Sequence, residues 1–137
     1  MRRVLKAADV REEWDDFNDD VIGSGPAFVE KDGMEWVAMS TGQFDAILNY
    51  FVLEAEYFNE EDGSVTFSMV DLDVAENGET KEAVLDKLVS ELFEYAKEYQ
   101  ENFNMYFNSS NRQHHLPYVL KILSCDNKEI LKTMVRY

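Results

Sequence analysis

Residues 26–44 read PAFVEKDGMEWVAMSTGQF, and this stretch sets the architecture of the first part of the chain. Asp32 and Gly33 are a two-residue hairpin signal, because both central positions of such a turn need a positive φ. The residues on either side are therefore predicted to form two antiparallel strands. Ser40 and Gln43 have the spacing of a capping box, in which each side chain accepts a hydrogen bond from the other residue's backbone amide. A helix is thus predicted to begin after the second strand.

The residues before this stretch predict a short strand followed by a helix. Residues 2–6 read RRVLK and form the predicted strand. Four apolar side chains then recur at intervals of four, three and four residues, so they share one face of a helix. They are Val10, Trp14, Phe17 and Val21. Residues 1–51 are therefore predicted to fold as a β-α-β-β-α unit.

Residues 52–137 form a second predicted segment. Alternating apolar residues on both sides of Asp62 and Gly63 predict another β-hairpin. After it, Thr80 is predicted to cap a long amphipathic helix with a sustained buried stripe. The stripe contains Leu85, Leu88, Leu92, Tyr95, Tyr99 and Phe103. Shorter helices are predicted around Pro117 and beyond it, so the whole sequence predicts an α+β protein with a C-terminal helical segment.

The charge of the chain restricts the partners that it can bind. The formal net charge is −15 at pH 7, which disfavours sequence-independent binding to nucleic acid or to an anionic membrane. It favours a basic partner and fast, salt-sensitive association with that partner. The single cysteine cannot form an internal disulfide, and no apolar run approaches the roughly twenty residues of a membrane-spanning helix. We therefore expect a cytoplasmic protein that does not contact membranes.

No catalytic or metal-binding constellation can be assigned from the sequence. His114 and His115 are adjacent, so they point in different directions on a helix, and no third histidine completes a metal site. Cys125 has no histidine and asparagine in a recognisable context, so a buried or idle thiol explains it better than a nucleophile does. The acidic turn at residues 60–63 lacks the alternating ligands of a calcium loop. We expect a protein that is not an enzyme and has no cofactor.

Two aromatic side chains are the best candidates for contact with a protein partner. Tyr106 and Phe107 lie beyond the predicted long helix, beside the polar break at residues 108–111. Aromatic side chains are enriched at protein interfaces, whereas the earlier aromatic residues of the helix are explained by core packing.

Three short motifs in the first part of the chain occur in a characteristic order. They are ADVR at residues 8–11 where a helix starts, FV at residues 28–29 before a turn, and MSTGQF at residues 39–44 where a second helix starts. With these motifs, the first fifty residues resemble the N-terminal half of the Phd/YefM-type antitoxins. The rest of the chain is similar to the extended, PHD-like antitoxins of RelE/RelB-type systems. Its order of hairpin, strand and capped acidic helix also resembles HicB-type antitoxin domains.

The resemblance implies a cytoplasmic antitoxin of a type II toxin–antitoxin system. Residues 1–51 would form a homodimer and bind operator DNA, so that the protein represses its own operon. Residues 52–137 would bind and cover a basic RelE-like or Doc-like toxin. Carried over onto this sequence, the DNA-facing positions are Arg2, Arg3, Lys6, Arg11 and Lys31.

The acidity of the N-terminal residues opposes DNA binding. Residues 1–50 contain five basic and eleven acidic side chains, and Glu30 and Asp32 flank Lys31. A protein needs several bases on phosphates to hold DNA at ordinary salt, although a dimer doubles those it has. Two alternatives therefore stay open: a stand-alone acidic interaction or immunity-type protein without DNA binding, and a DNA-mimic inhibitor of a nucleic-acid enzyme. Neutralisation of a basic toxin is the function that the sequence favours.

Overall fold

The computed structural model describes residues 3–137, and the chain divides into two compact units, Met1–Asn49 and Tyr50–Tyr137. The elements of the N-terminal unit are β1 (Val4–Lys6), α1 (Ala7–Glu12), α2 (Trp14–Ser24), β2 (Ala27–Lys31), β3 (Met34–Ala38) and α3 (Thr41–Leu48). The elements of the C-terminal unit are β4 (Leu53–Asn59), β5 (Val65–Met69), β6 (Ala75–Gly78), α4 (Lys81–Glu101), α5 (Phe103–Phe107), a 3-10 helix (Gln113–His115), α6 (Leu116–Leu123), α7 (Lys128–Met134) and β7 (Val135–Arg136). The predicted α+β fold class is confirmed.

The sheet of the N-terminal unit has the strand order β1-β2-β3. β1 runs parallel to β2, and β2 turns back into antiparallel β3. The predicted hairpin turn is present, with Asp32 at φ 53° and Gly33 at φ 81°. The predicted capping box is also present: the Gln43 amide donates to Ser40 Oγ at 3.2 Å, and the Ser40 amide donates to Gln43 Oε1 at 3.0 Å. Gln43 Nε2 in addition donates to the Val21 carbonyl of α2 at 2.8 Å.

The single helix predicted before the hairpin is split into α1 and α2. Glu13 separates the two helices and has a non-helical backbone, with φ −113° and ψ 40°. Val10, Phe17 and Val21 are buried as predicted, but Trp14 is 56% exposed. Trp14 nevertheless lines one cavity of about 280 Å³ with Val10, and its ring centroid lies 5.9 Å from that of Phe17. It shares their side of the unit but lies outside the buried cluster that contains Val10, Phe17 and Val21.

The sheet of the C-terminal unit has the strand order β6-β5-β4-β7, and α4 packs against it and against α6 and α7. The core side chains buried most completely include Leu53, Phe67, Leu88, Leu92, Ile122 and Leu131. Asn77, a residue type common in turns, lies within β6. Its side-chain amide donates to the Val65 carbonyl at 3.1 Å and to Thr66 Oγ1 at 2.9 Å, and these bonds hold it beside β5.

The predicted long helix is α4, and its predicted cap is confirmed because Thr80 Oγ1 accepts from the Ala83 amide at 3.2 Å. The helix ends at Glu101, earlier than the polar segment that was expected to end it. Asn102 has φ −118° and ψ 37°, and its side-chain amide donates to the Glu98 carbonyl at 3.1 Å. Such a side-chain bond competes with the backbone bonds of the helix. Within residues 3–137, no helix combines the length and apolar character needed to cross a membrane.

Candidate functional site

Three of the basic side chains that were predicted to face DNA lie around one open cavity of about 550 Å³ in the N-terminal unit. Lys6 ends β1, Lys31 ends β2, and Arg11 lies in the last turn of α1. The parallel register pairs Lys6 with Glu30, the neighbour of Lys31, so both lysines reach the same end of the sheet. We refer to this arrangement of Lys6, Arg11 and Lys31 as the basic groove.

The basic groove also contains two carboxylates, Glu30 and Asp32. Glu30 Oε1 accepts a hydrogen bond from the Gly33 amide at 2.8 Å, so this carboxylate is held toward the hairpin turn. Among the residues that the structure describes, no carboxylate lies within ion-pair distance of Lys6, Arg11 or Lys31. The three cations are therefore available to an anionic ligand, although the neighbouring acids weaken the local positive potential.

A further predicted DNA-facing residue, Arg3, does not join this groove. Arg3 lines a different cavity of about 290 Å³, where its neighbours include Asp9, Asp16 and Asp20. An arginine among several carboxylates has its field largely cancelled, so this position is poorly suited to phosphate. Arg2 lies outside the described residues.

The two residues predicted to contact a protein partner belong to an aromatic cluster at the end of α4. Tyr106 is half-buried, stacks on Tyr99 with ring centroids 5.4 Å apart, and is covered by the Arg112 guanidinium at 4.5 Å. Phe107 is also half-buried and stacks on Phe103 at 5.1 Å. Much of the surface of Tyr106 is therefore used for packing within the chain.

Two neighbouring apolar residues are more exposed than the predicted pair. Phe103 is 43% exposed and Met105 is 66% exposed. The helical spacing predicts Phe103 to lie in the buried stripe of the long helix, and Met105 has no such periodic position. Asn102 was the available signal, because asparagine favours bonds with its own backbone over continuation of a helix.

His115 is almost fully buried and forms a hydrogen-bonded pair with Tyr95, with 2.6 Å between Tyr95 Oη and His115 Nδ1. Burial lowers the pKa of His115 and raises the pKa of Tyr95 to about 12. Both groups are therefore neutral at pH 7, and the tautomer of His115 decides which of them donates the hydrogen bond. Tyr99 Oη donates to the Arg112 carbonyl at 2.8 Å, so two tyrosines of α4 hold the segment that leads into α6.

Cys125, the remaining candidate for a reactive side chain, is packed as a structural residue. Cys125 is half-buried, its Sγ lies 3.3 Å from the Met134 sulfur, and burial raises the pKa of its thiol. A raised thiol pKa disfavours the nucleophilic thiolate. In the described part of the chain, no three histidine, cysteine, aspartate or glutamate side chains are grouped to hold a metal ion.

The chain is similar to antitoxins over almost its whole length. A family model, PHD-like, described as antitoxin of toxin-antitoxin, RelE / RelB, TA system, matches residues 1–136. The crystal structure described as "an antitoxin part of a putative toxin/antitoxin system" from Syntrophomonas wolfei subsp. wolfei, at 1.80 Å resolution, is 27% identical. The match covers 97% of this chain and 96% of that one, with a TM-score of 0.85. No curated protein matches the chain. The protein therefore belongs to the PHD-like family of antitoxins of RelE/RelB-type toxin–antitoxin systems.

Proposed function

We propose that this antitoxin neutralises a basic RelE-like or Doc-like toxin by binding it directly in the cytoplasm, without catalysing a reaction. The distribution of charge carries the proposal. The C-terminal unit, residues 50–137, contains 17 acidic and 8 basic side chains. Ion pairs join Lys87 to Glu76 and Lys132 to Asp86, and the unit has more than twice as many carboxylates as basic side chains. Most of its carboxylates are therefore available to attract a basic protein at long range.

Contact with the toxin is proposed to involve the aromatic end of the C-terminal unit, including Tyr106 and Phe107. Bound there, the antitoxin would occlude the RNA-binding or catalytic face of the toxin. An aromatic centre excludes water, while acidic residues around it increase the rate of association.

The test of direct neutralisation is co-expression with the open reading frame adjacent to this gene, followed by titration of the two purified proteins. We expect rescue of growth and a stable complex whose association rate falls as salt rises, because the attraction is electrostatic. Absence of a complex at low salt, or an acidic gene product in that position, would overturn the proposal.

We also propose that the N-terminal unit binds operator DNA through the basic groove. The convergence of Lys6, Arg11 and Lys31 on one cavity is the supporting observation. A single groove offers few phosphate contacts, so this proposal requires a homodimer, in which the cations double.

The surface of β3 supports such self-association. β3 is an edge strand of its sheet, and apolar side chains on both of its faces are exposed: Met34 by 73%, Trp36 by 47% and Val37 by 44%. An exposed apolar edge strand is a ready surface for pairing with another chain. Sedimentation of wild type and of Trp36→Lys tests this point, with a dimer expected for the first and a monomer for the second.

A gel-shift titration with the DNA upstream of the gene tests operator binding. In a dimer, Arg11→Ala removes two phosphate contacts, so the slope of log K against log salt should become shallower by about 2. Lys97→Ala is the matched control, because Lys97 is an exposed cation of the C-terminal unit with no ion-pair partner among the described residues. No retention of wild type at low salt would leave toxin binding as the only activity, as in the stand-alone interaction protein that the sequence left open.

A further inference from the structure

The surface formed by the C-terminal half of α4 and by α5 carries a row of carboxylates and, beyond them, two exposed apolar side chains. We call it the α4–α5 face, and it consists of Glu91, Glu94, Glu98, Glu101, Phe103 and Met105. The four glutamates follow at intervals of three, four and three residues, which places them along one side of α4. All six residues are exposed, and the two apolar ones lie on α5, just after the end of α4.

The four glutamates of this face destabilise the helix that carries them. They occupy the C-terminal half of α4, whose last turn has no basic residue. The C-terminus is the negative end of the helix dipole, and like charges three or four residues apart repel each other. None of the four forms an ion pair with another described residue, although Lys97 lies three residues after Glu94 and four before Glu101. The arrangement costs the helix some stability and leaves the four carboxylates available to an external cation.

The ring of Phe103 is held in place before any partner arrives. Phe103 and Phe107 stack with ring centroids 5.1 Å apart and an interplanar angle of 15°. Phe103 also has an edge contact with Tyr99 at 6.1 Å. A side chain fixed in this way loses little conformational entropy when a partner covers it, which favours affinity. Exposed aromatic and methionine side chains are typical of the centre of an interface.

We propose that the α4–α5 face is the surface on which the toxin docks, with the glutamates facing lysine or arginine side chains and with Phe103 and Met105 entering an apolar pocket. The inference rests on the proposed direct binding of a basic toxin. The charge of the face selects this occupant: nucleic acid would be repelled, and a second copy of the chain would oppose four carboxylates to four carboxylates.

The electrostatic part of the inference is tested with full-length antitoxin and the purified product of the adjacent open reading frame. In the face variant, the four glutamates are changed to glutamine. In the control variant, four other exposed glutamates of the same unit are changed to glutamine. The control set is Glu54, Glu56, Glu60 and Glu61. Both variants lose the same charge, so only its position differs.

The face variant should associate with the toxin about tenfold more slowly and with less dependence on salt, because charge near the contact steers the encounter. It should also unfold at a higher temperature than wild type, since the repulsion within α4 is removed. The control variant should change the association rate by less than about threefold. A gain in stability together with a loss of binding is a result that a merely structural role would not give.

The apolar part is tested by the double change Phe103→Ser and Met105→Ser. Phe58→Ser is its control, because Phe58 has the same 43% exposure as Phe103 and lies on β4. The double variant should dissociate about tenfold faster, as expected for an anchor at the centre of an interface, and circular dichroism should show an intact fold. The control should bind like wild type.

The possible failures are distinguishable. If wild type binds the toxin, and if the four-glutamine variant and the Phe103→Ser, Met105→Ser variant bind it equally well, the α4–α5 face is not the docking surface. Direct neutralisation then still stands. Equal losses in the face and control variants would show that net charge alone matters, which also overturns the face. If wild type does not bind the toxin, both the face and the proposed function fail.

Discussion

Removing the Tyr95 hydroxyl should destabilise the C-terminal unit by about 1–3 kcal/mol, the cost of leaving a buried polar atom without a partner. The hydroxyl lies 2.6 Å from Nδ1 of His115, a residue that is only 2% exposed. Among the described residues, no buried side-chain nitrogen or oxygen lacks a hydrogen-bond partner. Tyr95→Phe would create one. Urea denaturation followed by circular dichroism measures the effect as a lower midpoint with an unchanged slope.

Tyr57→Phe is the matched control for this experiment. The Tyr57 hydroxyl donates to Asn59 Oδ1 at 3.2 Å on the surface, where water can replace it, so the loss should stay within about 0.5 kcal/mol. His115→Leu combined with Tyr95→Phe should cost less than the sum of the two single changes, because both partners are then removed. If Tyr95→Phe were as stable as Tyr57→Phe, the buried pair would not contribute as argued.

Three further predictions concern stability. Ser40→Ala removes one half of the capping box and should cost about 1 kcal/mol, seen as faster amide exchange in the first turn of α3. Gly78→Ala would place a methyl group 2.9 Å from Cγ2 of fully buried Val84 and should cost about 1–3 kcal/mol, whereas Gly23→Ala has open space and should be neutral or slightly stabilising in thermal unfolding. Burial lowers the pKa of His115 below its ordinary 6.5, so the unfolded chain binds the proton first and stability should fall as pH drops below about 6.5; His115→Leu should flatten that part of the stability–pH curve.

Local signals in the sequence were sufficient for the turns and caps of this fold. The hairpin at Asp32 and Gly33 and the cap at Thr80 each depend on residues within four positions of one another, so the sequence shows them directly. The pairing of β7 with β4 is different. It joins Val135 to Leu53, which are far apart in the sequence, and two residues of strand carry no period that could be recognised.

The basic groove also depends on contacts between residues that are far apart in the sequence. Lys6, Arg11 and Lys31 were singled out through the resemblance to antitoxins, but their convergence depends on the parallel pairing of β1 with β2, which composition and spacing do not show. Arg3 was grouped with them and lies instead among carboxylates. DNA binding by Lys6, Arg11 and Lys31 stays a prediction. Phe103 was missed as a surface residue because its helical spacing continues the buried stripe across the break at Asn102.

Gln43 closes two helices at once, since it caps the start of α3 and also donates to the Val21 carbonyl near the end of α2. Opening of either helix end therefore withdraws a hydrogen-bond partner from the other. The two helices are in this way made cooperative by a single amide group, so transient fraying in the N-terminal unit should involve both ends together and not one helix at a time.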